Sequence, residues 1–360
     1  MTKKIRVMIV EDSPVVMELL KYIIGNDSRL EVAATATSAE DALQKLNRVR
    51  PDVISLDIRL PGMNGLDATL LIMSSRPTPI VVVSAGVQEE ELNIAMNAMR
   101  AGALTVVEKP VGVTNGDYET MAGQLCDQLA VMSQVKVVRQ AGRRNIDFGA
   151  MSAKSSTAKE SGRHFPTVAP KIIGIVASTG GPNAVSRVLN GLGRDFPLPI
   201  LAVQHITDGF LTGFVSWLCD ITPFTATIAK DGECPAPGKV YFPPEDTHLE
   251  IRDGRLRVNG GALVSTQRPS GTVLLKSIAH DQGTHALGVL LTGMGSDGAK
   301  GLLAIKQAGG YTIAESESTA VIYGMPAEAV RLGGVCESLP LDAIAPGILE
   351  MVATKAQKVR

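Results

Sequence analysis

Between residue 5 and about residue 138 the chain alternates short apolar runs with stretches whose apolar residues recur three or four apart. The runs Ile5–Val10, Leu30–Ala34, Val53–Asp57, Ile80–Ser84 and Ala103–Val107 are near-continuous Val, Ile and Leu. That is the pattern of strands buried on both faces of a parallel sheet. Between them Val15, Leu19, Leu20 and Ile23, then Leu92, Ala95, Met96 and Met99, fall at helical spacing. Five strand–helix rounds are therefore predicted over residues 1–138. From 139 to 168 the periodicity stops. Arg139, Arg143, Arg144, Lys154, Lys159 and Arg163 outweigh Asp147 and Glu160 among small polar residues, which predicts a flexible basic linker. Residues 169–350 form a second alternating unit, and 351–360 a basic C-terminal tail. Within the second unit, Asp231 to Ile251 carries glycine and proline turns followed by short alternating runs, and predicts hairpin material. Phe210, Phe214 and Trp217 stand at helical spacing and are expected in the core. The loops Arg268–Gly271 and Ser318–Pro326 are expected to line a cleft.

Length and composition narrow the class. A chain of 360 residues holds two domains with full cores, and 36 glycines with 4% aromatics suit α/β architecture rich in tight turns. A formal net charge of −1 argues against general nucleic-acid binding. Cys126, Cys219, Cys234 and Cys336 are widely spaced without a CxxC pair, which suits reduced thiols rather than a disulfide or zinc framework. No leader precedes the first strand and no apolar run approaches membrane-spanning length, so a cytoplasmic chain that does not itself span a membrane is expected.

Polar residues end the strands of the first unit. The first run stops at Glu11-Asp12, the third at Asp57, the fourth at Ser84, and the fifth is followed by Lys109-Pro110. In an open parallel sheet these ends share one rim. Each alone reads as a strand-end cap. Together, Glu11, Asp12 and Asp57 make a hard-oxygen site for Mg²⁺, and Ser84 with Lys109 would hold the oxygens of a phosphoryl group on Asp57.

The second unit repeats the logic. Lys171 to Ala177 runs as a strand, breaks at Ser178-Thr179-Gly180-Gly181, and enters a helix at Pro182. Taken alone, Ser178 reads as a helix cap or part of a phosphate-cradling turn before it reads as a nucleophile. Two further runs end at His205 and in the Gly-Met294-Gly-Ser-Asp297-Gly turn. One rim thus collects a hydroxyl, an imidazole and a carboxylate, the set needed for nucleophile, base and orienter. The order Ser, His, Asp and the presence of Ala177 before the serine separate this from the G-x-S-x-G elbow. His248, His280 and His285 lack ligand partners at useful spacing and are expected to be structural.

With its Lys-Pro pair and Leu60-Pro-Gly-Met-Asn-Gly-Leu66 loop, the first unit resembles a response-regulator receiver. The resemblance implies a flavodoxin-like fold with Asp57 as phospho-acceptor, Glu11 and Asp12 as magnesium ligands, and Ser84 and Lys109 as phosphoryl sensors. Val106 departs from the aromatic usual three residues before the lysine, so signal output takes another route. The whole chain, with Ala-Ser-Thr-Gly-Gly, Gln-His and Leu-Thr-Gly-Met-Gly-x-Asp-Gly, resembles the CheB chemotaxis methylesterase family. This implies a C-terminal doubly wound, mostly parallel, Rossmann-like α/β catalytic domain. It also implies a protein-glutamate methylesterase and protein-glutamine glutaminase that needs no cofactor for the esterase. By resemblance Ser178 is nucleophile, His205 base and Asp297 its orienter, Thr179 supports the serine, and the Met294 N–H contributes to the oxyanion hole. The implied partners are cytoplasmic helices of methylated chemoreceptors and a chemotaxis-type histidine kinase. Thr272 stands where Pro-Ser-x-Asp is common and Glu315 where glutamine is. Neither position is expected to touch the triad, and both bear on substrate preference. The rival reading is a receiver fused to a non-catalytic domain whose glycine turn holds an anion. A nucleotide-binding turn is weaker, because G-x-G-x-x-G is not matched.

Overall fold

The computed structural model describes residues 3–84, 89–110, 115–135, 137, 168–207 and 209–353. The basic linker expected at 139–168 lies outside the described residues except for residue 168, as does the tail from residue 354 onward. In the first unit β1 (Ile5–Val10), α1 (Pro14–Asn26), β2 (Leu30–Ala36), α2 (Ala39–Val49), β3 (Val53–Asp57), α3 (Gly65–Ser75), β4 (Ile80–Ser84), α4 (Glu89–Arg100), β5 (Thr105–Glu108) and α5 (Asn115–Met132) alternate as the pattern predicts. The strands pair in the order β2-β1-β3-β4-β5, all parallel. Chain direction reverses across β1, which puts the ends of β1 and β3 at a topological switch point. Val15 departs from its expected place. It is 80% exposed, and Met17, Leu20, Ile23 and Ile24 make the buried stripe of α1. Val15 sits in the first turn, directly after Pro14, on the face turned from the sheet.

The second unit comprises β6 (Ile172–Ala177), α6 (Gly181–Leu192), β7 (Ile200–Gln204), α7 (Leu211–Ile221), β8 (Thr225–Ile228), β9 (Lys239–Phe242), β10 (His248–Arg252) and β11 (Arg255–Asn259). It continues with α8 (Gly271–Gln282), β12 (Ala286–Leu290), α9 (Ala299–Gln307), β13 (Tyr311–Glu315), α10 (Met325–Arg331), β14 (Glu337–Leu339) and α11 (Leu341–Ala353). Seven strands form a parallel sheet in the order β14-β13-β12-β6-β7-β9-β8. The chain leaves β6 toward β7 and later returns to β12 on the other side, so β6 and β12 flank a second switch point.

The hairpin expectation for 231–251 holds only in part. β9 joins the main sheet parallel to β7 and β8, burying Tyr241 and Phe242, while the hairpin is the later pair β10–β11. Its turn is Asp253-Gly254, both at positive φ (52° and 69°), the two-residue geometry whose twist matches the strands it joins. Phe210, Phe214 and Trp217 are buried, as their spacing predicts, with the Phe214 and Trp217 rings 6.1 Å apart. Helix α4 of the first unit packs on α7 and α6 of the second. Asn183 on α6 donates from Nδ2 to the carbonyl of Met99 at 2.7 Å, covering a backbone acceptor near the end of α4.

Candidate functional site

The first site lies at the β1/β3 switch point. Glu11 and Asp57 are buried and Asp12 exposed, and one ligand oxygen from each lies within 4.8 Å of the others. Lys109 Nζ reaches across to Asp57 Oδ2 at 2.8 Å and Glu11 Oε2 at 2.9 Å. Burial, then the nearby charge of Asp57, pushes the Glu11 carboxyl up, against the opposing pull of Lys109. Burial works against charge on Lys109, yet the bonds from Asp57 and Glu11 outweigh it and raise the ammonium. Such crowded carboxylates, all hard oxygen donors, fit a divalent cation, which would relieve their mutual repulsion. Ser84 is buried at the end of β4, where its carbonyl accepts from the Lys109 N–H at 2.8 Å.

Three adjacent strands carry the second site. Ser178 follows β6, His205 follows β7, and Asp297 lies in the turn after β12. Gly180, in the left-handed region at φ 76°, caps α6, and no side chain accepts a hydrogen bond there. Ser178 therefore stands two residues before the cap and does not serve as one. Its own N–H donates to Thr292 O at 3.0 Å. Gly293 lies against it, since a Cβ there would meet Ser178 Cβ at 2.7 Å. The loop expected to line the cleft at 318–326 instead braces this turn from behind: Gly293 N donates to Ile322 O at 3.0 Å, and Met325 N to Gly293 O at 2.9 Å. Thr292 ties both sides together, its hydroxyl donating to Thr179 O at 2.9 Å and accepting from Ile322 N at 2.9 Å. Thr179 is buried, whereas Met294 is 45% exposed in the cleft.

His205 Nε2 bonds Asp297 Oδ2 at 2.9 Å, leaving Nδ1 for a substrate-side proton. No hydrogen bond joins Ser178 Oγ to the imidazole in this structure; the two residues share the wall of one cavity. Asp297 is held by a cage that the sequence reading missed. Ser270 Oγ donates to Oδ1 at 2.7 Å, Thr272 N to Oδ1 at 3.0 Å and Gly271 N to Oδ2 at 2.6 Å. Ser270 is the N-cap of α8, so the carboxylate sits on a helix N-terminus. Burial would raise this carboxyl, but hydrogen bonds from His205, Ser270 and Thr272 bring it down to about 2. Pro269-Ser270 before an apolar helical run was the available signal. Thr272 thus touches the Asp297 carboxylate through its N–H, and its hydroxyl accepts from Gly298 N at 2.8 Å. This corrects the expectation that Thr272 stands clear of the triad; a helix start offers its backbone whatever the side chain. Gln204 adds a further link, with Nε2 donating to Ser178 O at 2.8 Å and His205 O at 2.7 Å.

Glu315 ends β13 fully buried and accepts from Thr292 N at 2.8 Å, one residue pair removed from Ser178. Burial pushes its carboxyl up, only partly offset by that bond. A carboxyl raised in the folded state binds its proton more tightly there than when unfolded, so stability falls as pH rises past the unfolded value. Glu315→Gln, which fixes the neutral shape, is expected to melt above wild type at pH 8, with the gap closing as the pH falls toward the unfolded carboxyl's value. Melting curves across that pH range test this, and a gap independent of pH contradicts it.

The cavity beside Ser178 and His205 has a volume of about 710 Å³. Its second-unit wall includes Met294 and Arg268, and its opposite wall is the first unit, through Met96, Met99, Val106 and Met121. His248 and His285 bond backbone carbonyls, of Ala262 at 3.0 Å and Ala169 at 2.9 Å. All four cysteines are free, and among the described residues no helix is long and apolar enough to cross a membrane.

A flavodoxin-like receiver joined to a doubly wound α/β effector, each with its polar site at a switch point, is the class that fold and strand ends define. Comparison with known proteins makes this specific. The response regulator receiver profile matches residues 7–116 and the CheB methylesterase profile residues 173–348. A protein-glutamate methylesterase/protein-glutamine glutaminase of Paramagnetospirillum magneticum is 58% identical over 98% of both chains. One of Nitrosospira multiformis is 40% identical, again over 98% of both. The crystal structure of the Thermotoga maritima CheB methylesterase catalytic domain is 34% identical, covering 51% of this chain and 100% of its own at a TM-score of 0.49. The chain belongs to the CheB methylesterase family.

Proposed function

We propose that this chain removes methyl groups from glutamate γ-methyl esters on cytoplasmic chemoreceptor helices, and deamidates receptor glutamines by the same steps, under control of its receiver. The observation that carries this reading is the convergence of Ser178, His205 and a caged, ionised Asp297 on one strand-end cleft. Ser178 Oγ attacks the ester carbonyl as its proton passes to His205 Nδ1. Asp297 stays ionised and steadies the imidazolium through Nε2. The oxyanion is held by backbone N–H groups of the glycine turn at Met294, each such donor being worth roughly 3–4 kcal/mol in the transition state. Collapse expels methanol, protonated by the imidazolium, and leaves an acyl-serine. Water attacks that ester with His205 again as base, releasing glutamate and restoring Ser178.

In the receiver, Asp57 accepts the phosphoryl group from a chemotaxis-type histidine kinase. Glu11, Asp12 and Asp57 would hold Mg²⁺, which supplies positive charge against the phosphoryl oxygens, while Ser84 and Lys109 contact those oxygens. Unphosphorylated, the receiver walls off the cleft, as the methionine-lined surface facing Ser178 suggests. The domain limits are 1–138, 139–168, 169–350 and 351–360, and the chain works in the cytoplasm.

Incubation with methylated chemoreceptor membranes tests the reading. The full chain should release methanol catalytically and leave glutamate at the sites. Binding to the membranes without methanol release would favour the anion-binding rival and overturn the esterase.

A further inference from the structure

His248 opens β10 and is buried, and the proposed chemistry does not use it. Its imidazole bridges the two ends of one loop. Nε2 bonds the carbonyl of Ala262 at 3.0 Å, and Nδ1 accepts the N–H of Ser270 at 3.2 Å. A carbonyl only accepts and an amide N–H only donates, so the ring is neutral with its proton on Nε2. Between these anchors the chain makes a tight turn, Val264 and Gln267 pairing across Ser265 and Thr266, both in the left-handed region at φ 53° and 63°. A β-branched residue in that region is strained, and such a turn persists only where its surroundings hold it. His248 contributes to that hold from the loop's two ends, alongside the backbone pair of Val264 with Gln267 and the Arg268 bond to Gly261 O at 3.0 Å.

The far anchor leads into the site. Ser270, fixed through its N–H by His248, donates its hydroxyl to Asp297 Oδ1 at 2.7 Å, and Asp297 Oδ2 holds His205 Nε2 at 2.9 Å. A continuous path therefore runs from Ala262 O through His248, Ser270 and Asp297 to the imidazole facing the cleft. We propose that His248 is a positioning residue for the esterase reaction, setting the Ser270 cap and, through it, the carboxylate that orients His205. The proposal rests on reading Ser178, His205 and Asp297 as the reacting set. Misplacing a catalytic group by about 1 Å costs on the order of a hundredfold in rate. Loss of the His248 bridge should therefore lower kcat with little effect on KM.

The test uses the full chain and methanol release from a peptide carrying a glutamate γ-methyl ester. His248→Phe keeps the ring volume but removes both hydrogen bonds; His248→Asn keeps one donor and one acceptor. His248→Phe should lose about 10–100-fold in kcat with KM within about threefold of wild type, and His248→Asn should recover most of it. The proton on His205 Nε2, read by NMR of histidine-labelled protein, should shift in His248→Phe. Wild-type kcat in His248→Phe, or equal loss in both variants with the His205 signal unmoved, would reduce His248 to packing and overturn the proposal. Should His248→Phe not fold, Ser270→Ala tests the same path, and a wild-type kcat there overturns it equally. Ser178→Ala run alongside keeps the two questions apart: full activity in that variant would sink the triad reading itself.

Discussion

Ser178→Ala in the full chain is expected to lower methanol release by about 10⁴–10⁶-fold without changing the melting temperature by more than a degree or two. The size follows from what is removed. With no nucleophile, His205 and Asp297 have nothing to activate, and only the oxyanion donors and cleft binding remain. Because the three act as a unit, His205→Ala should cost about as much, and the triple replacement little more than either alone. Folding should survive because the serine hydroxyl makes no cap and Ser178 is held by its backbone, through Thr292 O and Gln204 Nε2. Near-wild-type release from Ser178→Ala would move the nucleophile elsewhere.

The second large effect concerns Asp57. Acetyl phosphate with Mg²⁺ should form a base-labile adduct on the wild-type chain and raise its esterase rate. Asp57→Asn should form no adduct and show no response. Without the cation the wild type should also stay unmodified, since Glu11 and Asp57 are already crowded and a phosphoryl group adds further negative charge. The receiver surface with Met99 and Val106 shares a cavity with Ser178, and Asn183 binds the end of α4. Phosphorylation need only favour the open arrangement, each tenfold shift taking about 1.4 kcal/mol. A fragment beginning near Pro166 should therefore outpace the unphosphorylated full chain and ignore acetyl phosphate. Equal rates for the fragment and the unphosphorylated chain would contradict occlusion and leave the receiver to act by recruitment or direct activation.

Much of this architecture is legible in the sequence because parallel strands buried on both faces leave an unmistakable apolar run, and polar residues cluster where each run ends. Ser178, His205, Asp57 and Glu11 stand out as candidates in that way. Other features are not local. Asp297 is held by N–H groups from residues 271 and 272, and backbone donors leave no trace in residue types except the capping Ser270. His248 looks like a satisfied strand histidine until its two partners are seen to be the ends of one loop. β14, at three residues, is too short for a period to show, and β9 is set among turn residues that suggest a hairpin. Val15 shows the opposite failure, an apolar residue at helical spacing that lies on the solvent face of α1, off the stripe of Met17, Leu20, Ile23 and Ile24. The wall that the receiver makes for the cleft comes from packing between two units and has no signature in either.

Active-site labelling tests the central claim most directly. A serine-reactive fluorophosphonate added to the phosphorylated full chain should give one adduct, located by peptide mass spectrometry on Ser178. It should form in step with loss of methanol release and fail to form in His205→Ala. An adduct on another residue, or undiminished methanol release from fully labelled protein, would contradict the assignment of Ser178 as the nucleophile.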